Sequence, residues 1–512
     1  MSYSQLLGLV APETALVIAA LGVLGVDLLG LRDLDLKFRR IICALVGCVG
    51  CVVAVAWLIV FSHPANVGEG MLVITPLIAL VKCALVILAM LTMLLTIDSD
   101  FTNHVGEFYA LILLATIGML FLVSCEDVLM IFISLELTSL SLYILTAFNK
   151  RNIKSAEAGM KYFLFGGMAA AFTLFGLSLL YGISGTTNLS GIAKGVADKA
   201  VHVITAADGT THQGLDPIVA VAIVMTVIGF GFKIAAVPFH LWAPDAYEGA
   251  PTPAAALIAS GSKVASFFVF AKVMAVGFAG VEGSGAWRNF ISGWVPVLAT
   301  LAAVSMVLGN LAAIVQSSVR RLLAYSAIAH AGYMLLGILT HNGQGLSSLV
   351  YYVVTYALTA VGAFGVVAVV EQQTGGDKLS DFAGLSRRAP ILSFCMLIFM
   401  LSLAGIPPLA GFFGKFYLFT AATATDPANL SSLWLVILAV AMSAVSLYYY
   451  IQVLKQIYVI PAPSTAPSQR SPVITQVVLS LIAVAIIVLG CAPDLLVGKL
   501  VSVIQIAAGS AP

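Results

Sequence analysis

The chain has 512 residues, 61% of them hydrophobic and only 9% Asp, Glu, Lys or Arg, with a net charge of +1. A soluble chain carries about a quarter charged residues, so a water-soluble fold is excluded, and two small, nearly equal charge pools leave no basic surface for nucleic acid. The apolar runs have the length of membrane-crossing helices and are too long for barrel strands, which makes the fold class an all-α polytopic membrane protein.

In chain order, spans are predicted at 6–29, 41–61, 72–97, 108–124, 127–147, 159–182, 217–237, 254–278, 293–316, 322–340, 346–370, 390–420, 433–459 and 473–500, about fourteen in all. Met1 to Leu6 lacks the basic region of a cleavable signal, so the first run is expected to stay as a helix. The longest hydrophilic interruption, 183–216, is short and rich in Gly, Thr and Ala, so residues 1–512 are expected to form a single membrane domain. The seven cysteines are scattered through apolar runs. Cys48-Val-Gly-Cys51 has no second pair to complete a metal site and no following His for haem, so small apolar filling is its expected role.

Orientation follows from basic residues, which cytoplasmic loops retain. Loops after odd-numbered spans hold Arg32, Lys37, Arg39, Arg40, Lys150, Arg151, Lys154, Arg320, Arg321, Lys378, Arg387, Arg388 and Arg470, whereas those after even-numbered spans hold only Lys194, Lys199 and Arg288. A miscounted span would scramble this parity. Both termini are therefore expected outside, periplasmic in a bacterial inner membrane.

The other basic residues lie within apolar spans: Lys82, Lys161, Lys233, Lys263, Lys272, Lys415, Lys455 and Lys499. Lys455 and Lys499 sit near helix ends and can snorkel, and Lys161 begins its span. Lys233, Lys263 and Lys415 are harder to excuse. Each charge at mid-depth costs about 2.5 to 3.5 kcal/mol on insertion scales, so such residues are read as functional by default.

Three constellations stand out. On the fifth span, Ser134-Leu-Glu-Leu-Thr-Ser139 places Glu136 in an apolar helix, where a lone carboxylate needs a cation, and Lys233 or Lys161 is available. The seventh span ends in Gly229-Phe-Gly-Phe-Lys-Ile-Ala-Ala-Val-Pro-Phe-His240. There Pro238 removes a donor and clashes with the carbonyl of Ile234, so a broken helix is expected beside Lys233, with His240 near the exit of a hydrated pocket. The twelfth span repeats the pattern in Leu403-Ala-Gly-Ile-Pro-Pro-Leu-Ala-Gly-Phe-Phe-Gly-Lys415, with Pro407 and Pro408. Two broken helices with a lysine, five spans apart, point to an ion site built from two inverted repeats. No ATP-binding loop, dinucleotide fingerprint or haem-ligating His pair is present, and His104, His202, His212 and His341 fall in loops or at span ends. A catalytic redox site in this chain is not expected.

The run Gly231-Phe-Lys-Ile-Ala-Ala-Val-Pro-Phe-His-Leu-Trp-Ala-Pro-Asp-Ala-Tyr-Glu-Gly-Ala-Pro-Thr-Pro253 resembles the junction of the seventh and eighth helices in the antiporter-like membrane subunits of respiratory complex I. Leu401-Ser-Leu-Ala-Gly-Ile-Pro-Pro408, Gly414-Lys-Phe-Tyr417, Arg320-Arg-Leu-Leu-Ala-Tyr-Ser326 and Leu447-Tyr-Tyr-Tyr450 extend the likeness, which runs from about Leu6 to Leu500. Among its branches the chain is most similar to the subunit N branch; a stop twelve residues after its last predicted span argues against the largest sister, in which a very long lateral helix follows.

This resemblance implies two inverted five-helix repeats (helices 4–8, residues 108–278, and helices 9–13, residues 293–459), three N-terminal helices (1–107) and a C-terminal helix (473–500), with helices 7 and 12 broken. Carried over by motif, Glu136, Lys161, Lys233, His240, Lys263, His330 and Lys415 are the expected proton-path residues. Lys82 and Lys272 match no such position. The implied function is proton translocation coupled to quinone reduction by partner subunits. Those partners would carry FMN, iron–sulfur clusters and quinone, with no cofactor in this chain, and would include sister antiporter-like subunits. A subunit of a multi-subunit sodium/proton antiporter, or a structural spacer, is the alternative.

Overall fold

The computed structural model describes residues 3–61, 63–205, 211–286, 289–424, 431–462 and 472–509. Arg288 and Arg470, counted in the charge bias above, lie outside the described residues. Thirteen helices among those described are long and apolar enough to cross a bilayer: Ala11–Leu29, Leu36–Val60, Pro76–Thr96, Val105–Ser124, Val128–Thr146, Ile153–Ser184, Pro217–Ile234, Thr252–Gly277, Trp294–Ile314, Val319–Leu339, Gly343–Thr374, Leu433–Tyr458 and Val473–Cys491. One more crossing is made in two halves, Pro390–Ala404 and Ala410–Ala424. Counted as the twelfth, it brings the spans to fourteen.

Local chemistry sets the ends. Asp127 starts the fifth span by accepting the N–H groups of Leu129 and Met130 at 3.0 Å each, which satisfies donors that no helix can pair internally. Asn152 does the same for the sixth span, which therefore begins at Ile153, six residues before the expected 159. The interruption at 183–216 holds a helix, Leu189–Lys199, and an antiparallel hairpin, Val201–Thr205 with Thr211–Leu215, whose backbone includes His202 and His212.

An internal repeat appears in these caps and in the backbone bonds beside them. The sixth and eleventh spans are both 32 residues long, both follow a capping Asn (Asn152 and Asn342), and both stop at a left-handed glycine (Gly185, φ 70°, and Gly375, φ 77°). Val128 N–H donates to Thr187 O at 2.8 Å and Leu189 N–H to Glu126 O at 2.8 Å. The matching bonds run from Val319 to Asp377 at 2.8 Å and from Leu379 to Ser317 at 2.9 Å. The unit thus recurs five spans later, and an odd displacement turns it over relative to the membrane.

The seventh and twelfth spans break by the same turn. Ala235 (φ 58°) and Gly405 (φ 86°) are left-handed. Behind them Ala236 N–H reaches back to Gly231 O at 2.8 Å and Ile406 N–H to Leu401 O at 3.0 Å, the doubled bond of a Schellman stop. Pro238 and Pro408 each follow three residues after the left-handed position. The eighth span carries an interruption that the sequence did not suggest. Ser260 (φ −114°, ψ −85°) separates Thr252–Ala259 from Gly261–Lys272, and a π turn, Val273–Gly277, completes the crossing. The eighth, tenth and eleventh spans are almost wholly buried and form the centre of the bundle.

Candidate functional site

Lys233 occupies the last turn of the seventh span, where a cation meets the negative end of the helix dipole. It is buried, and its Nζ donates to Ser139 Oγ at 2.5 Å, with the rings of Tyr143 and Phe232 at 5.8 and 5.6 Å. Among the described residues Glu136 makes no ion pair within 4.0 Å, although its charge reaches Lys233 and Tyr143. The reason lies in helical spacing. Glu136, although an i,i+3 neighbour of Ser139, borders the half-exposed Leu129, Ile133, Leu140 and Ile144, whereas Ser139 lies on the buried side with Leu135 and Leu142, where the amine of Lys233 sits.

The other expected partner is also engaged elsewhere. Lys161 is 37% exposed and pairs with Glu157 at 2.7 Å and Asp245 at 2.8 Å. Arg321 joins Asp245 and Glu248 at 2.8 Å each, and Lys154 holds Glu248 at 2.9 Å. Lys161 thus belongs to a surface charge cluster and stands apart from the buried lysines. Asp245 and Glu248 lie on Trp242–Gly249, the short helix after the seventh-span break, outside the membrane-spanning segments. Burial pushes both carboxyls up, but the bonds from Lys161 and Arg321 to Asp245, and from Lys154 and Arg321 to Glu248, outweigh it and hold them below their ordinary range.

Lys263 follows the Ser260 interruption by three residues. It is 2% exposed, its Nζ donates to Ala327 O at 2.5 Å, and the Tyr356 ring lies 5.6 Å away. Ala327 is three residues before His330 on the tenth span, which puts both on one face. His330 is buried and shares hydrogen bonds with Tyr352 Oη through Nδ1 at 2.7 Å and with Tyr450 Oη through Nε2 at 3.0 Å. Tyr450 Oη also lies 2.5 Å from Ser326 Oγ. The charges of Lys263 and Lys415 both reach His330.

Lys415 explains the twelfth-span break. Its Nζ donates to Leu403 O and Ala404 O at 3.0 Å each and to Ser443 Oγ at 2.8 Å. In an unbroken helix those two carbonyls would accept the N–H groups of residues 407 and 408, but Pro407 and Pro408 have none. The prolines leave two acceptors at the negative end of a half-helix, and the buried ammonium takes them. The Tyr333 ring sits 5.2 Å from this amine and 5.6 Å from the His330 ring. Lys263, His330 and Lys415 are thereby linked through Ala327 and Tyr333. The likeness between the two lysine sites stops at the turn, because Lys233 precedes its break and Lys415 follows its own.

His240 lies beyond the seventh-span break, half-buried, with a buried Nδ1 that has no hydrogen-bond partner among the described residues. Pro238, Pro407 and Pro408 are themselves exposed; their effect is on the backbone. Sequence reasoning missed Tyr333, Tyr352 and Ser443, and Ser139 lay within the quoted Ser134–Ser139 run without a role. Tyr450 lay within the quoted Leu447–Tyr450 run without a role. No group of His, Cys, Asp and Glu able to hold a metal occurs among the described residues.

Residues 125–445 match the NADH:quinone oxidoreductase/Mrp antiporter transmembrane family. The chain belongs to this family. Among curated family members, NADH-quinone oxidoreductase subunit N 2 of Acidobacterium capsulatum is 51% identical over 97% of this chain and 98% of its own length. Subunit N of Desulforamulus reducens is 42% identical over 81% and 80%. A chain of respiratory complex I from Thermus thermophilus, solved with bound aureothin, is 31% identical with a TM-score of 0.74, covering 96% of this chain and 99% of that one. A chain of the Mrp complex from Dietzia sp. DQ12-45-1b, at 19% identity and a TM-score of 0.77 over 96% and 97%, shares the fold.

Proposed function

We propose that this chain is a proton-translocating membrane-arm subunit of an NADH:quinone oxidoreductase, moving protons along Glu136, Lys233, Lys263, His330 and Lys415. The observation that carries this reading is the buried series from Lys263 through Ala327 and His330 to Tyr333 and Lys415, in a chain 51% identical to a subunit N. Three ammonium groups held by hydroxyls and carbonyls, rather than by carboxylates, are poised to give a proton up. FMN, iron–sulfur clusters and quinone chemistry belong in this reading to partner subunits. A sister subunit covers the half-exposed stripe that carries Glu136, since a carboxylate facing lipid is costly.

The residues divide into three N-terminal spans (1–107), two inverted repeats (108–278 and 293–459) and a C-terminal span (473–500). Both termini are outside, in a bacterial inner membrane. The basic cluster of Lys154, Lys161 and Arg321 marks the inner mouth, where Lys161 and Asp245 act as a surface relay. His240, Tyr143 Oη, Thr226 Oγ1 and Tyr247 Oη offer buried polar atoms without partners, which water completes when the path is hydrated.

Glu136 works as the switch. Exchanging Ser139 for Glu136 as the partner of Lys233 trades charge-assisted hydrogen bonds worth about 1.5–3 kcal/mol. Carrying one charge across 100 mV takes about 2.3 kcal/mol. The two are of one size, as a relay requires. Isolation of the chain with flavin- and iron–sulfur-bearing subunits tests the assignment. Isolation with a flavin-free sodium/proton antiporter complex would reject it.

A further inference from the structure

Lys272, Glu126, Lys82 and Glu13 form a second set of ionisable side chains that the path above does not use. Lys272 is the last residue before the π turn of the eighth span, nine residues beyond Lys263 and so roughly 13 Å further along the helix at 1.5 Å per residue. Its Nζ donates to Val123 O at 3.2 Å and Cys125 O at 3.4 Å, at the end of the fourth span, and lies 3.4 Å from Glu126 Oε1. Its side chain is 11% exposed and that of Glu126 32%. Both line a cavity of about 400 Å³ together with Thr75, Phe268, His341 and Asn342.

Three observations set this site apart from a static clamp. The contacts of Lys272, at 3.2–3.4 Å, are longer than the 2.8–3.0 Å of Lys415, so its ammonium is held more loosely. A π turn, a distortion that recurs at functional sites, follows it directly. The cavity is bounded by the connections between the second and third, fourth and fifth, and tenth and eleventh spans, the side poor in basic residues and opposite the Lys161 cluster.

We propose that Lys272 with Glu126 is the outward proton-release site of this chain, opening on that cavity. The inference rests on the proton-path reading above and adds where the proton leaves. In the step, an N–H bond of the Lys272 ammonium breaks and an O–H bond forms on cavity water, leaving a neutral amine and no redox change. Until then the Glu126 carboxylate, 3.4 Å away, favours the protonated amine by its charge. The groups whose charge bears on Lys272 are Glu126, Cys125 and Lys82. Lys82 is itself buried and paired with Glu13 at 2.6 Å, and His341 faces the same cavity.

The test uses the complete complex in sealed vesicles, comparing Lys272→Arg, Lys272→Met and Glu126→Gln with Lys263→Ala. Arg preserves the charge and the pairing with Glu126 but does not release its proton, so a clamp tolerates Lys272→Arg and a release site does not. The expected result is that Lys272→Arg and Lys272→Met assemble and lose as much proton translocation per electron as Lys263→Ala. Glu126→Gln should lower the outside pH at which translocation is half-inhibited, because the ammonium then sheds its proton more readily. Normal translocation in Lys272→Arg, or an unmoved half-inhibition pH in Glu126→Gln, beside a failed Lys263→Ala, would overturn the release site alone. Normal translocation in Lys263→Ala as well would remove the path on which it rests.

Discussion

The amine of Lys415 lies 3.0 Å from the carbonyl oxygen of Leu403, an acceptor left open because residue 407 is proline. A helix break that looks like a packing device therefore does electrostatic work, solvating a buried ammonium with the end of a half-helix.

Replacing Pro407 and Pro408 together by Ala supplies the two missing N–H groups. If the helix closes, Lys415 keeps only Ser443. Hydrogen bonds to a charged group are worth about 1.5–3 kcal/mol each, so proton transfer is expected to fall at least about tenfold while membrane insertion persists. Proton uptake by the assembled double mutant measures it.

Ser139→Ala removes the hydroxyl that now holds Lys233. The ammonium then turns to Glu136, and a relay locked in the paired state conducts poorly. Reduced pumping is expected in Ser139→Ala and near-normal pumping in Ser139→Thr, which keeps the hydroxyl. Equal rates in both, measured in vesicles, would show the hydroxyl to be incidental.

Tyr352→Phe and Tyr450→Phe each take one partner from the His330 ring, and each is expected to slow transfer by a factor of a few, at about 0.5–1.5 kcal/mol per neutral hydrogen bond. The double mutant should lose less than the sum of the two, since both act through one ring. A double-mutant cycle on pumping rate is the measurement.

Single cysteines at Arg39 and Arg387 should be labelled only from the cytoplasmic face, in a background where the exposed Cys491 is replaced by Ser. The other native cysteines are buried or partly so. The structure gathers Gly70, Glu126 and Asn188 at one end and Lys154, Asp245 and Arg321 at the other, as the loop parity requires. Labelling of both positions from outside would invert the topology.

The buried lysines and the breaks were legible because they violate strong rules: a charge in an apolar run and a proline in a helix each demand an explanation. Ser139, Tyr352 and Ser443 were not, since hydroxyls inside apolar helices commonly return a bond to their own backbone, as Thr138 does to Ser134 O. The carbonyl ligands of Lys263 and Lys415 carry no side-chain signature at all. The partly exposed position of Glu136 could have been read from Leu129, Ile133, Leu140 and Ile144 at helical spacing. The repeat was legible only in the two breaks and the hydropathy, because the rest of it lives in capping and backbone bonds. Its register also shifts: Asn342 follows Asn152 by 190 positions, but Gly405 follows Ala235 by only 170.

Proton uptake into sealed vesicles, driven by the natural electron donor, bears on the central claim most directly when the complex carries Glu136→Gln together with Lys263→Ala and its assembly is verified on native gels. The proton path requires that uptake per electron drop clearly below that of the unaltered complex. Full uptake in the assembled double mutant would contradict the path and return Glu136, Lys233 and Lys263 to holding helices together.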